Sequence, residues 1–155
     1  MSGAGQAAIA RDAGADFTID RKTEDIAARV AELAGGGEGH CIDRIIEVAF
    51  GANLETSLKL LAKSGTIASY SSDAMPEPAL PFWPLVFLDA NLRFVLVFAM
   101  TRAALAEAIA ATTGAIEAGR LKHNIAKVLP LERAVEAHEL VEARGAGGKV
   151  VVTIA

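Results

Sequence analysis

Three histidines and one cysteine are the residues of this chain best suited to holding a metal ion. Their spacing argues against it. His40 and Cys41 are adjacent, so in a strand their side chains point to opposite faces and do not easily share one ion. His123 and His138 lie far off, and neither has a histidine or cysteine four residues away. The simpler roles are a histidine at a strand entry, a cysteine acting as a small hydrophobe, and two surface or interface histidines. No metal site is expected.

Nucleophilic chemistry has no better support. A Gly-x-Ser-x-Gly elbow is lacking, and "SYSSD" (residues 69–73) has no histidine in a recognisable frame. Its serines read as turn formers or hydrogen-bond donors. Asp43 and Glu47 read as strand-end charges facing solvent or a helix, in preference to an acid–base pair. The loops say more. In an open parallel sheet, ligands sit beyond the carboxyl ends of the strands, where helix amino termini and free backbone amides converge. Here those ends are "AFGAN", where Gly51 would let a ligand approach the main chain, and "SYSSD". Both are small and polar, as a plain turn would also be. Phosphate binding would need Gly-x-Gly-x-x-Gly between a strand and a helix, and no such run occurs. "GAG" at residues 3–5 has no strand before it, and "GAGG" at residues 145–148 precedes a strand.

The elements that must position these loops follow from periodicity. Residues 6–13 read as the tail of a helix closed by Gly14, followed by a short strand, "DFTID" (residues 16–20). Thr23 is placed to cap a helix with Glu24 and Asp25 in its first turn, carrying Ile26, Val30 and Leu33 on one face and stopped by Gly35 to Gly37. "CIDRIIEVAF" (residues 41–50) is a nearly continuous apolar run, the pattern of a central strand covered on both faces. Asn53 is placed to cap the next helix, with Leu54, Leu58 and Leu61 on one face and Gly65 at its end. "GTIASYSS" is the following strand. Three β-α units in a row imply a parallel sheet.

Beyond them, Pro76, Pro78, Pro81 and Pro84 surround Phe82 and Trp83 in a stiff loop over residues 74–93. "RFVLVFAM" (residues 93–100) reads as a strand. Residues 102–118 read as a helix burying Leu105, Ile109 and Ile116 and closed by Gly119. The tail reads as a strand "NIAKVLPL", a helix from Leu131 to about Arg144, and a strand "KVVVTI". The fold class is therefore α/β, in two parts: residues 1–119 hold the sheet and its flanking helices, and residues 120–155 form a strand-helix-strand segment.

Composition narrows the partners. Hydrophobic residues make up 52% of 155, and mean hydropathy is +0.36, so some apolar surface is expected to meet a partner. The net charge of -4 and the lack of any lysine or arginine run leave no footprint for nucleic acid. The runs "LPFWPLVFL" and "FVLVFAM" fall short of the roughly 20 residues that a bilayer span needs. No secretory pattern appears in residues 1–15, and a single cysteine, Cys41, permits no intrachain disulfide, so a cytoplasmic setting is expected.

"GADFTID", "TEDIAARVAELAGG", "DRIIEVAFGANLETSLKLLAKSGTIASY" and "LPLERAVEAHELVEARGAGGKVVVTI", in order along nearly the whole chain, resemble the medium-chain dehydrogenase/reductase superfamily. The likeness is greatest to its zinc-free NADPH:quinone reductase (zeta-crystallin-like) branch. The resemblance implies an incomplete Rossmann-like sheet and an oxidoreductase moving hydride from NADPH to a quinone or an activated alkene. It also implies that the family's catalytic barrel, first two sheet strands and glycine phosphate loop would lie before residue 1, so that this chain alone would have little or no catalysis. By the same likeness, cofactor-contacting positions are Gly51, Ser69, Tyr70, Ser71, Phe94 and Val95, catalytic residues cannot be named, and the 2'-phosphate position falls at Gln6. Strand order 3-2-1-4-5-6 would leave the strand at 41–50 with an open apolar edge, to be met by the "FTID" strand or by another chain, or else left poorly ordered; the two tail strands, which in the family pack on the barrel, are free to pair with each other instead. A homodimer through residues 93–100 is expected. The alternatives are a non-enzymatic dimerisation or interaction module that has given up the cofactor, and a subunit complemented by a separate amino-terminal half.

Overall fold

The computed structural model describes residues 3–36, 39–143 and 146–154. In chain order the elements are α1 (Ala4–Asp12), α2 (Ile26–Leu33), β1 (Ile42–Glu47), α3 (Phe50–Leu60), β2 (Leu61–Ser69), α4 (Phe82–Phe87), β3 (Asn91–Phe94), α5 (Arg102–Glu117), β4 (Ile125–Pro130), α6 (Ala134–Glu142) and β5 (Lys149–Thr153). The chain groups into two compact units, residues 23–107 and residues 1–22 with 108–155. The class is α/β with parallel sheets, as the alternation of strands and helices requires.

In the unit of residues 23–107, β1, β2 and β3 form one parallel sheet in that order. Register places Ile45, Ile67 and Leu92 in one row across the three strands. Residues in register share a face, and α3 packs on this one: Phe50, Leu54 and Leu58 recur at one-turn spacing and are buried with Leu61 and Ile67. Burying each such side chain contributes roughly 1.5–3 kcal/mol. Ile45, Leu85, Leu88 and Leu92 close over this cluster.

Several sequence expectations need correction. The run at 41–50 is not covered on both faces, and it has the open edge that the family resemblance implies in place of the central position that its composition suggests. Among the described residues β1 is an edge strand paired only with β2, and Ile46, one residue out of phase with the core row, is 74% exposed. Composition alone registers a strand able to be buried, whereas burial requires neighbours. Phe50 leaves the strand and starts α3. Residues 16–20 form no strand and join neither sheet, because β propensity alone does not build a ladder. The cap of α2 is Asp25, whose carboxylate accepts the Ala28 N–H at 2.8 Å, and not Thr23. Asn53 lies inside α3, which begins after Ala49. That helix stops at Leu60, and β2 begins at once, so Gly65 lies within the strand and not at the helix end. The proline loop contains α4, whose first turn accommodates Pro84 because the missing N–H would have had no acceptor inside the helix. The strand at 93–100 ends at Phe94, and Val97–Ala99 make a 3₁₀ turn.

In the other unit, β4 and β5 pair in parallel, and α6 connects them in sequence, with Leu129 and Ala137 buried. The two tail strands thus pair with each other, as expected. A 3₁₀ turn over Leu131–Arg133 precedes α6, so the tail helix is shorter than its periodicity suggested. Gly14 follows α1 with a positive φ of 104° and its N–H on the Arg11 carbonyl, the helix-closing role read from the sequence. Lys122 reaches Asp12 at 2.8 Å. On α5, Leu105, which belongs to the unit of residues 23–107, and Ile109 and Ile116 of this unit are exposed, contrary to expectation. Their spacing marks one helix face, but spacing does not furnish the surface that would cover it. Gly37, Arg144 and Gly145 lie outside the described residues. No helix among the described residues is long and apolar enough to cross a membrane.

Candidate functional site

The last residues of the three parallel strands stand in one row. Glu47 is opposite Ser69, and Ser69 is opposite Phe94. Beyond that row the chain turns from β1 into α3 and from β2 into the serine segment, and the two turns lock together. Ala49 bridges Ser72 in antiparallel fashion. The Phe50 N–H donates to the Ser71 carbonyl at 3.2 Å, and the Gly51 N–H donates to Ser72 Oγ at 2.9 Å. Ser72 Oγ in turn donates to the Met75 carbonyl at 2.6 Å.

Glu47 anchors this arrangement from below. It is 8% exposed, and one carboxylate oxygen, Oε1, accepts both the Ala49 N–H at 2.6 Å and the Asn53 side-chain amide at 3.0 Å. A carboxylate suits the amino end of a helix, where N–H groups lack intrahelical acceptors. The reading of Glu47 as a strand-end charge directed at a helix holds; its burial was not legible. Asp43 is exposed on β1.

A cavity of about 350 Å³ opens over this row. It brings together five of the six positions carried over from the family, Ser69, Tyr70, Ser71, Phe94 and Val95, with Phe50 and Ser72 added by the fold. Gly51, the sixth, is not in the lining. A side chain there would meet the Met75 carbonyl oxygen at 2.6 Å, so its missing Cβ admits the protein's own backbone. Ser69 is buried and donates from Oγ to the Ser71 carbonyl at 3.1 Å, whereas Tyr70 is exposed. Hydroxyl groups and apolar rings line the cavity, and none of its lining residues is ionisable except Tyr70. That chemistry suits an uncharged ring and sugar hydroxyls, not a phosphate. Phe50 and Ser72 were missed because the strand was read through Phe50 and the serines as a turn; a glutamate followed within three residues by an apolar helix start was the available signal.

A larger groove of about 760 Å³ lies between α3 and the proline segment, lined chiefly by Leu54, Leu58, Met75, Leu80, Phe87 and Leu88. Its size exceeds that of the first cavity, but strand ends and free amides do not converge there, so the chemistry favours the smaller one. At its rim Lys59 meets Glu55 at 2.8 Å, which lowers the Glu55 carboxyl below its ordinary range and raises the Lys59 ammonium, in each case chiefly through their hydrogen bond.

His40 stands at a positive φ of 49°, with Nδ1 3.0 Å from the Leu61 carbonyl. His123 lies beside Lys122 and Asp12, and His138 beside Val150. Among the described residues no three side chains of metal-binding type come together.

The family model described as zinc-binding dehydrogenase matches residues 13–152. A quinone oxidoreductase from Lama guanicoe is 30% identical over 132 residues, which are 84% of this chain and 39% of that protein. Among solved structures, a mycobacterial quinone oxidoreductase superposes with a TM-score of 0.83 at 29% identity, covering 99% of this chain and 47% of that one. A mycobacterial protein complexed with NADPH superposes with a TM-score of 0.77 at 29% identity, covering 99% and 48%. The chain thus spans less than half the length of the proteins it matches.

Proposed function

Because the chain belongs to the zinc-binding dehydrogenase family, within the medium-chain dehydrogenase/reductase superfamily, we propose that its three-stranded sheet is the nicotinamide-side part of an NADPH-binding domain. The observation that carries this reading is the convergence of Ser69, Tyr70, Ser71, Phe94 and Val95 on one cavity at the carboxyl ends of parallel strands. In such a site the cofactor supplies the hydride and the protein supplies binding and orientation. The Tyr70, Ser71 and Ser72 hydroxyls would hold the nicotinamide ribose, and Phe94 and Val95 would flank the ring. Gly51 supports the cavity through Ser72.

Among the described residues no three side chains come together as a zinc ligand set. The whole-protein reaction that this reading implies is hydride transfer from NADPH to a quinone or an activated alkene, in the cytoplasm. Lacking a glycine phosphate loop in its sequence, this chain alone would bind weakly and turn over little. Residues 1–119 would serve the cofactor, and residues 120–155 would pack on the catalytic part.

The test is titration with NADPH, followed by the cofactor's own fluorescence. Saturable binding with a Kd below about 1 mM, roughly -4 kcal/mol, weakened by Phe94→Ala, supports the site. A response that stays linear, or one that Phe94→Ala leaves unchanged, overturns it.

A second reading is favoured by the surface after β3. Phe94, Leu96, Val97 and Phe98 are all exposed, Phe98 by 97%, and one edge of β3 is unpaired among the described residues. Such a surface suits a dimerisation module that no longer needs the cofactor. Dimerisation without NADPH binding would favour this reading over the first.

A further inference from the structure

Glu47 lies outside the cavity lining, yet the hydrogen bonds that shape the cavity start from it. Its Oε1 fixes the Ala49 N–H and the Asn53 amide, which sets where α3 begins. Its own carbonyl accepts the Tyr70 N–H at 3.3 Å, so one residue ties down both turns. The next two amides, those of Phe50 and Gly51, then meet the Ser71 carbonyl and Ser72 Oγ. Phe50, so placed, sets its ring edge-on to Phe94, 5.3 Å between centroids.

We infer that Glu47 is a positioning residue for this cavity: its buried carboxylate, through two accepted hydrogen bonds, fixes residues 49–53 and through them the serine segment that meets the ligand. The carboxylate works here as an acceptor and does not touch the ligand. Removing it strands two partly buried donors at the helix start, and no described cation neutralises it there, so its role does not reduce to an ion pair. A glutamine keeps an acceptor oxygen at the same reach and should substitute for it, whereas alanine should not.

The test has two arms. The first is amide hydrogen exchange on the unliganded 155-residue chain, which does not depend on the cofactor reading. Glu47→Ala should speed exchange at Phe50 and Gly51 by about tenfold or more, the loss of roughly one hydrogen bond's worth of protection, with Ile67 in mid-strand unchanged. Glu47→Gln should restore protection to within about threefold. Should Glu47→Ala fail to fold, Asn53→Ala, which removes one of the two donors, should show the same local pattern at smaller size. Unchanged protection at Phe50 and Gly51, a uniform rise that includes Ile67, or a glutamine variant no better than alanine overturns the inference.

The second arm rests on the cofactor reading: NADPH affinity should fall about tenfold in Glu47→Ala and recover in Glu47→Gln. If the unmodified chain binds no NADPH, that reading fails while the exchange arm still decides the role of Glu47. If the chain binds and Glu47→Ala binds equally well, the positioning role fails alone.

Discussion

The ring of Phe50 meets the ring of Phe94 edge to face, with centroids 5.3 Å apart and planes at 84°. The first opens α3 and is almost fully buried; the second ends β3 and is mostly exposed. The contact therefore joins the core to the wall of the cavity. Truncating Phe50 to alanine should cost about 3 kcal/mol as a core deletion, and Phe94→Ala about 1 kcal/mol. The double variant should lose less than the sum, by about 0.5–1.5 kcal/mol, read from urea unfolding midpoints. Strict additivity would show that the rings do not couple.

Gly51 carries a testable steric claim. Its backbone is ordinary helix, so an alanine there should gain about 1 kcal/mol from helix propensity. Against this, the new Cβ would meet the Met75 carbonyl oxygen at 2.6 Å and the Met75 Cβ at 2.8 Å. The loop would have to move, loosening the bonds of Ser72 to Gly51 and Met75. With overpacking near 3 kcal/mol, Gly51→Ala should destabilise by a net of about 2 kcal/mol in the same unfolding measurement. A stabilised variant would show that the approach of Met75 is soft.

What was legible follows from what local sequence encodes. Leu54 and Leu58 announced the packed face of α3, whereas Leu61 is buried from β2, and the alternation of apolar runs with glycine breaks announced a parallel sheet. The order of β1, β2 and β3 and five cavity residues came from family likeness, not from periodicity. The errors share a cause. Ile46, Leu105, Ile109 and Ile116 have the types and spacing of buried residues, and residues 16–20 have those of a strand, but burial and pairing depend on a neighbouring surface. Helix starts failed differently. Asp25 outcompeted Thr23 as a cap because its carboxylate lies within reach of the Ala28 N–H, and at α3 the capping acceptor came from Glu47, outside the helix altogether.

The Glu55–Lys59 pair supplies the pH dependence. The Glu55 carboxyl is lowered, chiefly by its hydrogen bond from Lys59. A depressed carboxyl stabilises the fold above its unfolded pKa, and that contribution disappears as pH falls through the lower folded value. Lys59 is raised by the same partner, so its contribution holds below its unfolded pKa and is lost as pH rises through the folded one. Both groups are solvent-exposed, so the effect on stability should be small and screened by salt. Carbon-detected NMR titration should place the Glu55 carboxyl below the ordinary glutamate range, returning to it in Lys59→Gln. An unmoved titration in that variant would assign the shift to something other than this pair.

The segment after β3 tests assembly. The strand uses one edge to pair with β2, its Asn91–Phe94 ladder ends where the chain turns at Val97–Ala99, and Leu96, Val97 and Phe98 present their side chains to solvent. An open strand edge beside three exposed apolar residues is a surface that proteins ordinarily cover. We propose that a second copy covers it, through residues 93–100, the contact that the family resemblance implies. Light scattering at micromolar concentration should give about twice the 16.1 kDa chain mass. Phe98→Glu should return the mass to that of one chain, because its side chain is almost wholly exposed in the monomer and a glutamate there would place a charge in the contact without disturbing the core. A single-chain mass for the unmodified protein, or a dimer indifferent to Phe98→Glu, would place the apolar surface outside any self-contact.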